Sequence, residues 1–473
     1  MFVGRALERK QLQALRGVAS PNIAILYGRR RVGKTFLVRE AYKAERILSF
    51  EGLEGQSKEK QISNFLFQLR QQCPDAALDY SAKTWSETLK QLIPIIEKNS
   101  YVLFFDEFQW MASYKDELIS ELKMMWDQYF SMSKGTTLVL CGSIASFMIK
   151  KVVRSKALYG RVDLEINLKP FQLFEAKLLL QSFGKIETLE SLLLLGGIPQ
   201  YLKMISNAPS LYLGIGELAF IKNSYFSTEF EKIFVSHFGK NENYSKVIRV
   251  LSKHSYGLLR EQVSDKCNIS LSGHLSNDLF NLEAAGFIKS FVPVDKDEKS
   301  KIRKYVLVDP YLIFYLKFIE PNLNNIAIGK PDLFSKITQS AGFSSFLGRA
   351  FEVFCQNHAY FISQMLGFSG IEYRVGPYFR KSTEEAGIQI DLMFDRKDNV
   401  ITLCEMKYSR SPVGIDIIDE VEKKVRTIEK ISKKTIQKVL IVKDAASQEL
   451  VKSGYFFKII TCQDLWDHSE PVS

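Results

Sequence analysis

Eight residues near the amino terminus have the types and spacing of a phosphate-binding loop. Residues 28–35 read Gly-Arg-Arg-Arg-Val-Gly-Lys-Thr. Glycines let backbone N–H groups close around phosphate oxygens, Lys34 reaches the β- and γ-phosphates, and Thr35 offers a hydroxyl to Mg²⁺. The helix that opens at Gly33 adds its positive dipole end to the loop. The pattern therefore predicts binding of a nucleoside triphosphate together with Mg²⁺.

An acidic pair further along the chain suits the same chemistry. Asp106 and Glu107 follow the apolar run 101–105, which is typical of a strand buried on both faces of a parallel sheet. Ligands of open α/β sheets bind at the carboxyl ends of such strands. We expect Asp106 to hold Mg²⁺ and Glu107 to polarise the attacking water. Alone, the pair suits a solvated loop or helix cap equally well, and the phosphate loop upstream favours the catalytic interpretation.

Ser143 is a further candidate in this region. It follows the apolar run 136–141, so a strand would carry it toward the γ-phosphate as a polar sensor. Its other predicted role is the N-cap of a helix over residues 144–150.

The elements that must position these groups alternate along the first part of the chain. Apolar runs predict strands at 23–27, 47–50, 101–105, 136–141 and 162–166. Amphipathic stretches predict helices at 8–15, 58–71, 85–98 and 116–129. This alternation predicts an α/β fold with a doubly wound parallel sheet.

A second set of charged residues lies in the last third of the chain. Glu405 and Lys407 project from one side of a predicted strand, because side chains alternate along it. A hairpin through 395–399 would bring Asp391 beside them, and Glu352 lies on a preceding helix. This spacing matches a PD-(D/E)xK nuclease core, in which carboxylates hold a divalent ion and the lysine stabilises the transition-state phosphate. The alternative is an ordinary half-buried strand with solvated charges.

The middle of the chain has the pattern of a winged helix. Helical stretches at 244–253, 259–267 and 270–285 precede Gly286 and an apolar strand. The charged stretch 295–304 is the predicted wing, and it leads to a strand at 305–308. The third helix bears no arginine, which weakens base reading in a major groove. Binding of DNA by this segment is one of the roles that the pattern leaves open.

Composition limits the function classes. Lys and Arg number 64 against 53 Asp and Glu, which gives a net charge of +11 and is compatible with nucleic acid, DNA above all, as a partner. The six cysteines form no CxxC pair, and no histidine spacing suits zinc. A signal-peptide core and a membrane-length apolar run are both missing from the sequence. We therefore expect a cytoplasmic protein with no membrane partner, and a homo-oligomer or a protein partner is compatible with the same features.

Several short motifs together resemble a known family. They are Phe2-Val3-Gly4-Arg5, the arginine-rich loop, the segments 105–109 and 141–143, Leu158-Tyr159-Gly160-Arg161, Pro170-Phe171 and the segment 196–202. Over about residues 1–240 the chain resembles the archaeal-type ATPases, a prokaryotic branch of the AAA+ and STAND ATPases. The resemblance implies ATP as the nucleotide and a helical lid after the sheet, with Pro199 near the adenine or sensor-2 region. It also implies that the winged helix serves as a regulatory or packing module, as it often does in this family.

The resemblance also assigns a role to Arg161. It implies a position near the nucleotide, in the same chain or in a neighbour of a ring, where the arginine would offset charge on the γ-phosphate. The alternative is a surface ion pair. The last third resembles the uncharacterised domain that commonly ends archaeal-type ATPases, which is grouped with restriction-endonuclease-like folds.

These inferences combine into one prediction. The domains are a P-loop ATPase core at 1–168, a helical lid at 169–240, a winged helix at 241–325 and a PD-(D/E)xK nuclease-like domain at 326–473. The function is an ATP-binding and ATP-hydrolysing switch coupled to a metal-dependent nuclease domain, in DNA processing or mobile-element defence. The alternative is an ATP-dependent regulator or scaffold whose last domain binds nucleic acid or protein without cleavage.

The predicted site residues fall into three groups. The nucleotide-contacting residues are Gly28, Arg29, Arg30, Arg31, Val32, Gly33, Lys34, Thr35, Phe36, Ser143 and Pro199. The catalytic residues are Glu107, Arg161, Glu352, Asp391, Glu405 and Lys407. The metal ligands are Thr35 and Asp106 in the first site and Glu352, Asp391 and Glu405 in the second.

Overall fold

The chain divides into two compact units. The computed structural model describes residues 2–17, 20–112, 117–239, 241–292, 302–380 and 388–468. The first unit comprises Met1–Phe171 with Ile198–Gln200, and the second comprises Gln172–Gly197 with Tyr201–Ser473. The finer division into four domains stays a prediction. Within the described ranges, no helix has the length and apolar character needed to cross a membrane.

The first unit contains a five-stranded parallel sheet. Its strands are β1 (Asn22–Tyr27), β2 (Ile47–Glu51), β3 (Val102–Asp106), β4 (Thr137–Gly142) and β5 (Leu164–Asn167). They are arranged in the order β2-β3-β4-β1-β5, and every pairing is parallel. All residues of β1, β3 and β4 are buried, as expected for central strands covered on both faces. The predicted parallel α/β sheet is confirmed.

The helices of this unit follow the predicted ones with two exceptions. They are Ala6–Arg16, Lys34–Ala41, Lys58–Gln72, Trp85–Lys90, Ile93–Ile96, Phe108–Met111, Glu117–Gln128 and Ala145–Phe147, and a π-helix spans Met148–Val153. The predicted helix 85–98 is two helices, because Pro94 lacks an N–H and stands in the first turn of the second one. Ser143 does not cap the short helix that follows it, whose N-cap is Ile144.

The second unit begins with helices. Its helices before residue 240 are Leu173–Leu179, Lys185–Leu195, Leu211–Ala219 and Tyr225–Phe238. A further helix, Pro199–Ile205, begins in the first unit and ends in this one. This is the segment predicted as a helical lid.

Next come three helices and a small antiparallel sheet. The helices are Asn243–Ser252, Arg260–Cys267 and Gly273–Ala284, and the strands are β6 (Leu258–Leu259), β7 (Ile288–Phe291) and β8 (Lys304–Leu307) in the order β6-β8-β7. The helix and strand positions agree with the pattern from which a winged helix was predicted. Residues 295–301, which are most of the wing predicted at 295–304, lie outside the described residues.

The carboxy-terminal part contains a mixed five-stranded sheet. Its strands are β9 (Tyr373–Arg380), β10 (Ile388–Arg396), β11 (Val400–Lys407), β12 (Thr435–Val442) and β13 (Lys458–Thr461), in the order β13-β12-β11-β10-β9. β9, β10 and β11 pair antiparallel, whereas β11, β12 and β13 pair parallel. The remaining α-helices described here are Pro310–Phe314, Leu323–Ala327, Leu333–Thr338, Ala341–Asn357, Ala359–Met365, Ile417–Glu429, Gln448–Lys452 and Cys462–Asp467, with a π-helix at Tyr315–Ile319.

A β-bulge interrupts β10 at Asp391. The register between β9 and β10 shifts between Ile390 and Met393, so that Asp391 and Leu392 together face Pro377. Pro377 has no N–H to donate, and β9 is an edge strand, where proline is tolerated. Ile390 and Met393 both join the apolar cluster under the helix Ile417–Glu429, although regular alternation would place them on opposite faces. The bulge therefore sets the direction of Asp391.

The sequence 416–434 predicts one helix with a charged face, and the helix observed there, Ile417–Glu429, ends earlier. The chain has turned by then, because the N–H of Thr435 donates to the carbonyl of Asn399 at 3.0 Å as β12 begins. Lys434 lies beyond the helix and donates to the carbonyl of Arg396 at 2.8 Å. It is therefore part of the sheet edge and not of the charged helix face.

A buried carboxylate ties the helix Lys185–Leu195 to the end of β11. Glu190 is 7% exposed and accepts hydrogen bonds from the hydroxyls of Tyr408, at 2.9 Å, and Tyr212, at 2.6 Å. The ammonium of Lys443 is 3.9 Å from the same carboxylate. Burial and the charge of Glu190 raise the pKa of both tyrosines, which therefore stay protonated as donors.

Candidate functional sites

Two glycines shape the loop that follows β1. At Gly28, φ is +151°, and a Cβ there would lie 2.4 Å from the carbonyl oxygen of Leu168. At Gly33, φ is +91°, a conformation that side chains rarely adopt. The loop therefore requires glycine at both ends, where the sequence motif places it.

Lys34 is buried inside this loop. It is 6% exposed, and its ammonium donates to the carbonyls of Gly28 and Arg29, both at 3.0 Å. Burial lowers the pKa of Lys34, and the nearby groups Cys141, Glu107 and Asp106 oppose that effect. A desolvated ammonium held by two carbonyls is a strong partner for a phosphate anion.

Thr35 and Asp106 are in contact at the carboxyl end of β3. The hydroxyl of Thr35, in the first turn of the helix Lys34–Ala41, donates to the carboxylate of Asp106 at 2.6 Å. Asp106 ends β3 and is 7% exposed. Hydroxyl and carboxylate oxygens suit Mg²⁺, which usually takes one or two protein ligands and completes its shell with phosphate oxygens and water. The residues present therefore fit the predicted ion.

Glu107 lies in a hydrogen-bonded network with two neighbours. Its φ of +47° turns the chain sharply after β3. Its carboxylate accepts from the hydroxyl of Ser143 at 2.5 Å and from the amide of Gln109. Gln109 also accepts from the N–H of Ser143 at 3.2 Å. The hydroxyl of Ser143 thus faces Glu107 of the acidic pair and does not cap the helix that follows. The predicted role of Ser143 as a polar sensor stays a prediction.

A second site lies beside the mixed sheet. A cavity of about 800 Å³ is lined by Glu352 from the helix Ala341–Asn357, Asp391 from β10, and Glu405 and Lys407 from β11. The structure thus brings together the four residues that the sequence predicted as one constellation. Glu405 and Lys407 lie on the same face, with 3.4 Å between ammonium and carboxylate.

The two carboxylates on the strands are strongly buried. Asp391 is 6% exposed and Glu405 is 2% exposed. Burial raises the pKa of both side chains. The charge of Glu352 raises that of Asp391 further, and the pKa of Glu405 is lowered by Lys424 and raised by Asp391. The cavity therefore concentrates negative charge that requires a cation.

Lysines of the protein supply positive charge to Glu405. The ammonium of Lys424 donates to Glu405 at 2.5 Å, and Lys407 lies 2.7 Å from Glu420. Burial lowers the pKa of Lys407, but its hydrogen bond with Glu420 and the charge of Glu405 outweigh burial and raise it. Sequence reasoning assigned no pairing to Lys424 or Glu420. Their i,i+4 spacing on an amphipathic helix favours a pair between the two, whereas the structure pairs each of them with a residue of β11.

The other two carboxylates also have protein partners. Arg349 forms an ion pair with Glu352, and the amide of Gln389 donates to Asp391 at 3.0 Å. The hydroxyl of Tyr256, in the turn before β6, donates to Gln389 at 2.6 Å.

These pairings bear on the predicted metal ligands of the cavity. Across the described ranges of the chain, no group of three or more His, Cys, Asp or Glu side chains is placed to hold a metal ion in the present arrangement. Arg349 is paired with Glu352 and Lys424 with Glu405, and the metal-binding role of Glu352, Asp391 and Glu405 stays a prediction.

Comparison with known proteins identifies an ATPase domain in the first part of the chain. A family model described as an ATPase domain predominantly from Archaea matches residues 2–205. Residues 2–205 contain a P-loop ATPase domain. A second model, described as "Archaea bacterial proteins of unknown function", matches residues 315–431.

Individual relatives are distant. The uncharacterized protein MJECL04 of Methanocaldococcus jannaschii is 24% identical over 412 residues, which cover 86% of this chain and 88% of the relative. The Walker-type ATPase PABY2304 of Pyrococcus abyssi superposes with a TM-score of 0.51 at 17% identity, covering 67% of this chain and 96% of that one. It therefore shares the fold. The ORC2 protein of Aeropyrum pernix, in its ADPNP–ADP complexes, has a TM-score of 0.44 at 14% identity, covering 72% and 97%.

Arg161 of the ATPase domain makes the surface ion pair that was the alternative to a nucleotide role. Its guanidinium donates to both carboxylate oxygens of Asp127, at 2.7 and 3.0 Å. The hydrogen bonds from Arg161 and Lys123 lower the pKa of Asp127 to about 2. In this arrangement Arg161 would have to leave Asp127 before it reached a nucleotide.

Six further residues of the ATPase domain are predicted to contact the nucleotide. Arg29 is buried, Arg30 lies 3.4 Å from the carboxylate of Glu54, and Arg31 has a φ of +69°. The carbonyl of Val32 accepts from Arg5 at 3.3 Å. Phe36 is exposed, with its ring centroid 5.4 Å from that of Phe2. Pro199 starts the helix Pro199–Ile205 and belongs to the ATPase unit.

Proposed function

We propose that the ATPase domain binds and hydrolyses ATP as a molecular switch, with Glu107 as the residue that polarises the attacking water. The supporting observation is the position of Glu107 directly after Asp106, at the carboxyl end of β3, where Thr35 also lies. Its carboxylate is oriented by Ser143 and Gln109, so little reorganisation is required before reaction.

Each residue of the loop has a distinct part in this proposal. Lys34 neutralises the β- and γ-phosphates, and the loop N–H groups orient them. Thr35 and Asp106 hold Mg²⁺, which when bound neutralises charge on the phosphate oxygens. Ser143 and Gln109 keep the carboxylate of Glu107 in one orientation.

The substitution Glu107→Gln tests the hydrolytic role. We expect unchanged binding of a hydrolysis-resistant ATP analogue by calorimetry, and at least about a hundredfold lower turnover, because the base is lost while the shape is kept. Glu51→Gln is the matched control, since Glu51 pairs with Asp106 in the sheet but is exposed. Equal turnover of Glu107→Gln and Glu51→Gln would exclude Glu107 from the reaction.

We further propose that the cavity beside the mixed sheet acts on nucleic acid, DNA in the first place, and that the nucleotide state of the ATPase domain controls it. Asp391, Glu405 and Lys407 have the charges that a metal-dependent phosphodiester cleavage requires. Lys423 and Arg426 line the same cavity and give it a cationic wall toward the phosphate backbone. Such a protein suits DNA processing or mobile-element defence.

The segment predicted as a winged helix fits a gating role in this proposal. Tyr256, between the helix Asn243–Ser252 and β6, reaches Asp391 through Gln389. Arg349 links the same turn to Glu352, because it also donates to the carbonyl of Ser255 at 2.6 Å. Movement of this turn would therefore act on two carboxylates of the cavity at once.

A regulator or scaffold that binds nucleic acid or protein without cleavage is the second candidate. The ion pairs of Lys424 and Arg349 with the carboxylates favour it. Incubation of supercoiled plasmid with the full chain, ATP and Mg²⁺ or Mn²⁺ separates the two. Cleavage predicts nicking that disappears in Glu405→Gln but persists in Glu429→Gln, an exposed carboxylate of the neighbouring helix. A gel shift without nicking in the unmodified chain would favour the scaffold.

A further inference from the structure

Lys424 forms an ion pair with a buried carboxylate of the cavity. Its side chain is 16% exposed, and it projects from the helix Ile417–Glu429 onto Glu405, which is 3% exposed at its side chain. The ammonium donates a charge-assisted hydrogen bond to the carboxylate. The neighbouring Lys423 is exposed and lines the same cavity, and among the described residues it makes no comparable ion pair with the strands.

The positive charge of Lys424 acts on more than one carboxylate. Its charge lowers the pKa of Asp391 as well as that of Glu405, against the effect of burial. Lys407, another lysine of the cavity, is shared with Glu420, 2.7 Å away. A single ammonium is therefore the principal internal cation for two buried carboxylates.

A divalent ion would need the same oxygen atoms. Two buried carboxylates and one ammonium cannot all keep their present contacts while a metal ion binds between them. The ammonium has somewhere to go, because Glu420 lies one turn earlier on the same helix, at the spacing of an i,i+4 ion pair. A lysine side chain has the flexible stem that such a change requires.

We propose that Lys424 is an exchangeable internal counter-ion that competes with a divalent cation for Glu405 and Asp391. Metal binding then requires the ammonium to turn toward Glu420, and that change releases Lys407 from Glu420 toward the substrate phosphate. Lys424 acts through Glu405 and is thus a positioning residue. The inference rests on the proposed metal-dependent function of the cavity.

Metal affinity, rather than cleavage, tests this competition. Mn²⁺ is titrated into the full chain at pH 8, and free Mn²⁺ is followed by electron paramagnetic resonance. The cavity site is the class of binding that disappears in Glu405→Gln. Lys424→Met keeps the aliphatic stem and removes the charge, and we expect its affinity for Mn²⁺ at that site to be about tenfold tighter, a change of about 1.4 kcal/mol. Lys423→Met, with the same charge change, is expected to differ from the unmodified chain by less than about twofold.

The outcomes separate the inference from the function on which it rests. Equal Mn²⁺ affinity of the Lys424→Met and Lys423→Met proteins would overturn the competition while leaving a metal site in place. No binding at the cavity in any of these proteins at millimolar Mn²⁺ would overturn the metal-dependent function itself. Lys424→Gln provides a second charge-free variant if Lys424→Met fails to fold, and the same tighter binding is expected of it.

Discussion

The hydrogen bond from Tyr408 to Glu190 leads to a quantitative prediction for the stability of β11 in the second unit. Tyr408 follows Lys407 at the end of β11, so its hydrogen bond to Glu190 fixes the strand that carries Glu405 and Lys407. A hydrogen bond to a charged acceptor contributes about 1.5–3 kcal/mol when buried. The bond from Tyr212 contributes less, because Tyr212 is 36% exposed.

The expected magnitude follows from these two bonds. Glu190→Ala leaves the hydroxyl of Tyr408 without its acceptor and should lower the local stability of β11 by about 3 kcal/mol. Glu190→Gln keeps an acceptor oxygen and should cost about 1 kcal/mol. In the Tyr408→Phe background, the cost of Glu190→Ala should fall by about 1–2 kcal/mol, since the pair is then already broken.

Hydrogen exchange of the β11 amides measures this effect. A loss of 3 kcal/mol corresponds to roughly a hundredfold faster exchange. Glu217→Ala, an exposed carboxylate on the helix Leu211–Ala219, is the control and should change exchange by less than about threefold. If Glu190→Ala changed the exchange of β11 no more than Glu217→Ala does, the buried contact would not stabilise this strand.

Three further predictions concern the loop and the cavity. Gly28→Ala should lower the melting temperature and weaken ATP binding by more than about tenfold, because its Cβ would lie 2.4 Å from the carbonyl oxygen of Leu168. Gly342→Ala should do neither, because a Cβ there would make only an ordinary van der Waals contact with the hydroxyl oxygen of Ser340, at 3.7 Å. Lys34→Met should abolish binding of an ATP analogue in calorimetry yet raise the melting temperature of the nucleotide-free chain, because it removes a buried ammonium whose pKa is lowered by burial. The folded-state pKa of Asp391 is raised, so its contribution to stability is present below its unfolded pKa and is lost as the pH rises through the folded value. Asp391→Asn should therefore raise the melting temperature by about 3 °C at pH 7 and have little effect near pH 4; a larger gain at pH 4 than at pH 7 would contradict this sign.

The parts of the fold that the sequence predicted are those determined locally. The central strands of the ATPase domain are runs of apolar residues, and such runs arise when both faces of a strand are covered. The phosphate loop is likewise contiguous, and its two glycines reflect backbone constraints at single positions. The proximity of Asp391 to Glu405 followed from the short hairpin between β10 and β11.

The parts that the sequence did not predict depend on contacts between distant residues. The acceptor of Lys424 is 19 positions away, and that of Arg161 is 34 positions away, so no local pattern specifies either pair. Gln109 was part of a recognised motif, but its bond to Glu107 required knowledge of the sharp turn after β3. The split of the helix near Pro94 was readable, since proline in a first turn marks a helix start.

The extra residue in β10 makes the strand sensitive to length as well as to composition. Deletion of Leu392 would restore a regular ladder opposite Pro377, in which Ile390 and Met393 keep their face of the sheet and Asp391 turns to the other one, so that the aspartate would leave the cavity. Homologous chains are therefore expected to conserve the number of residues between the aspartate and the hairpin.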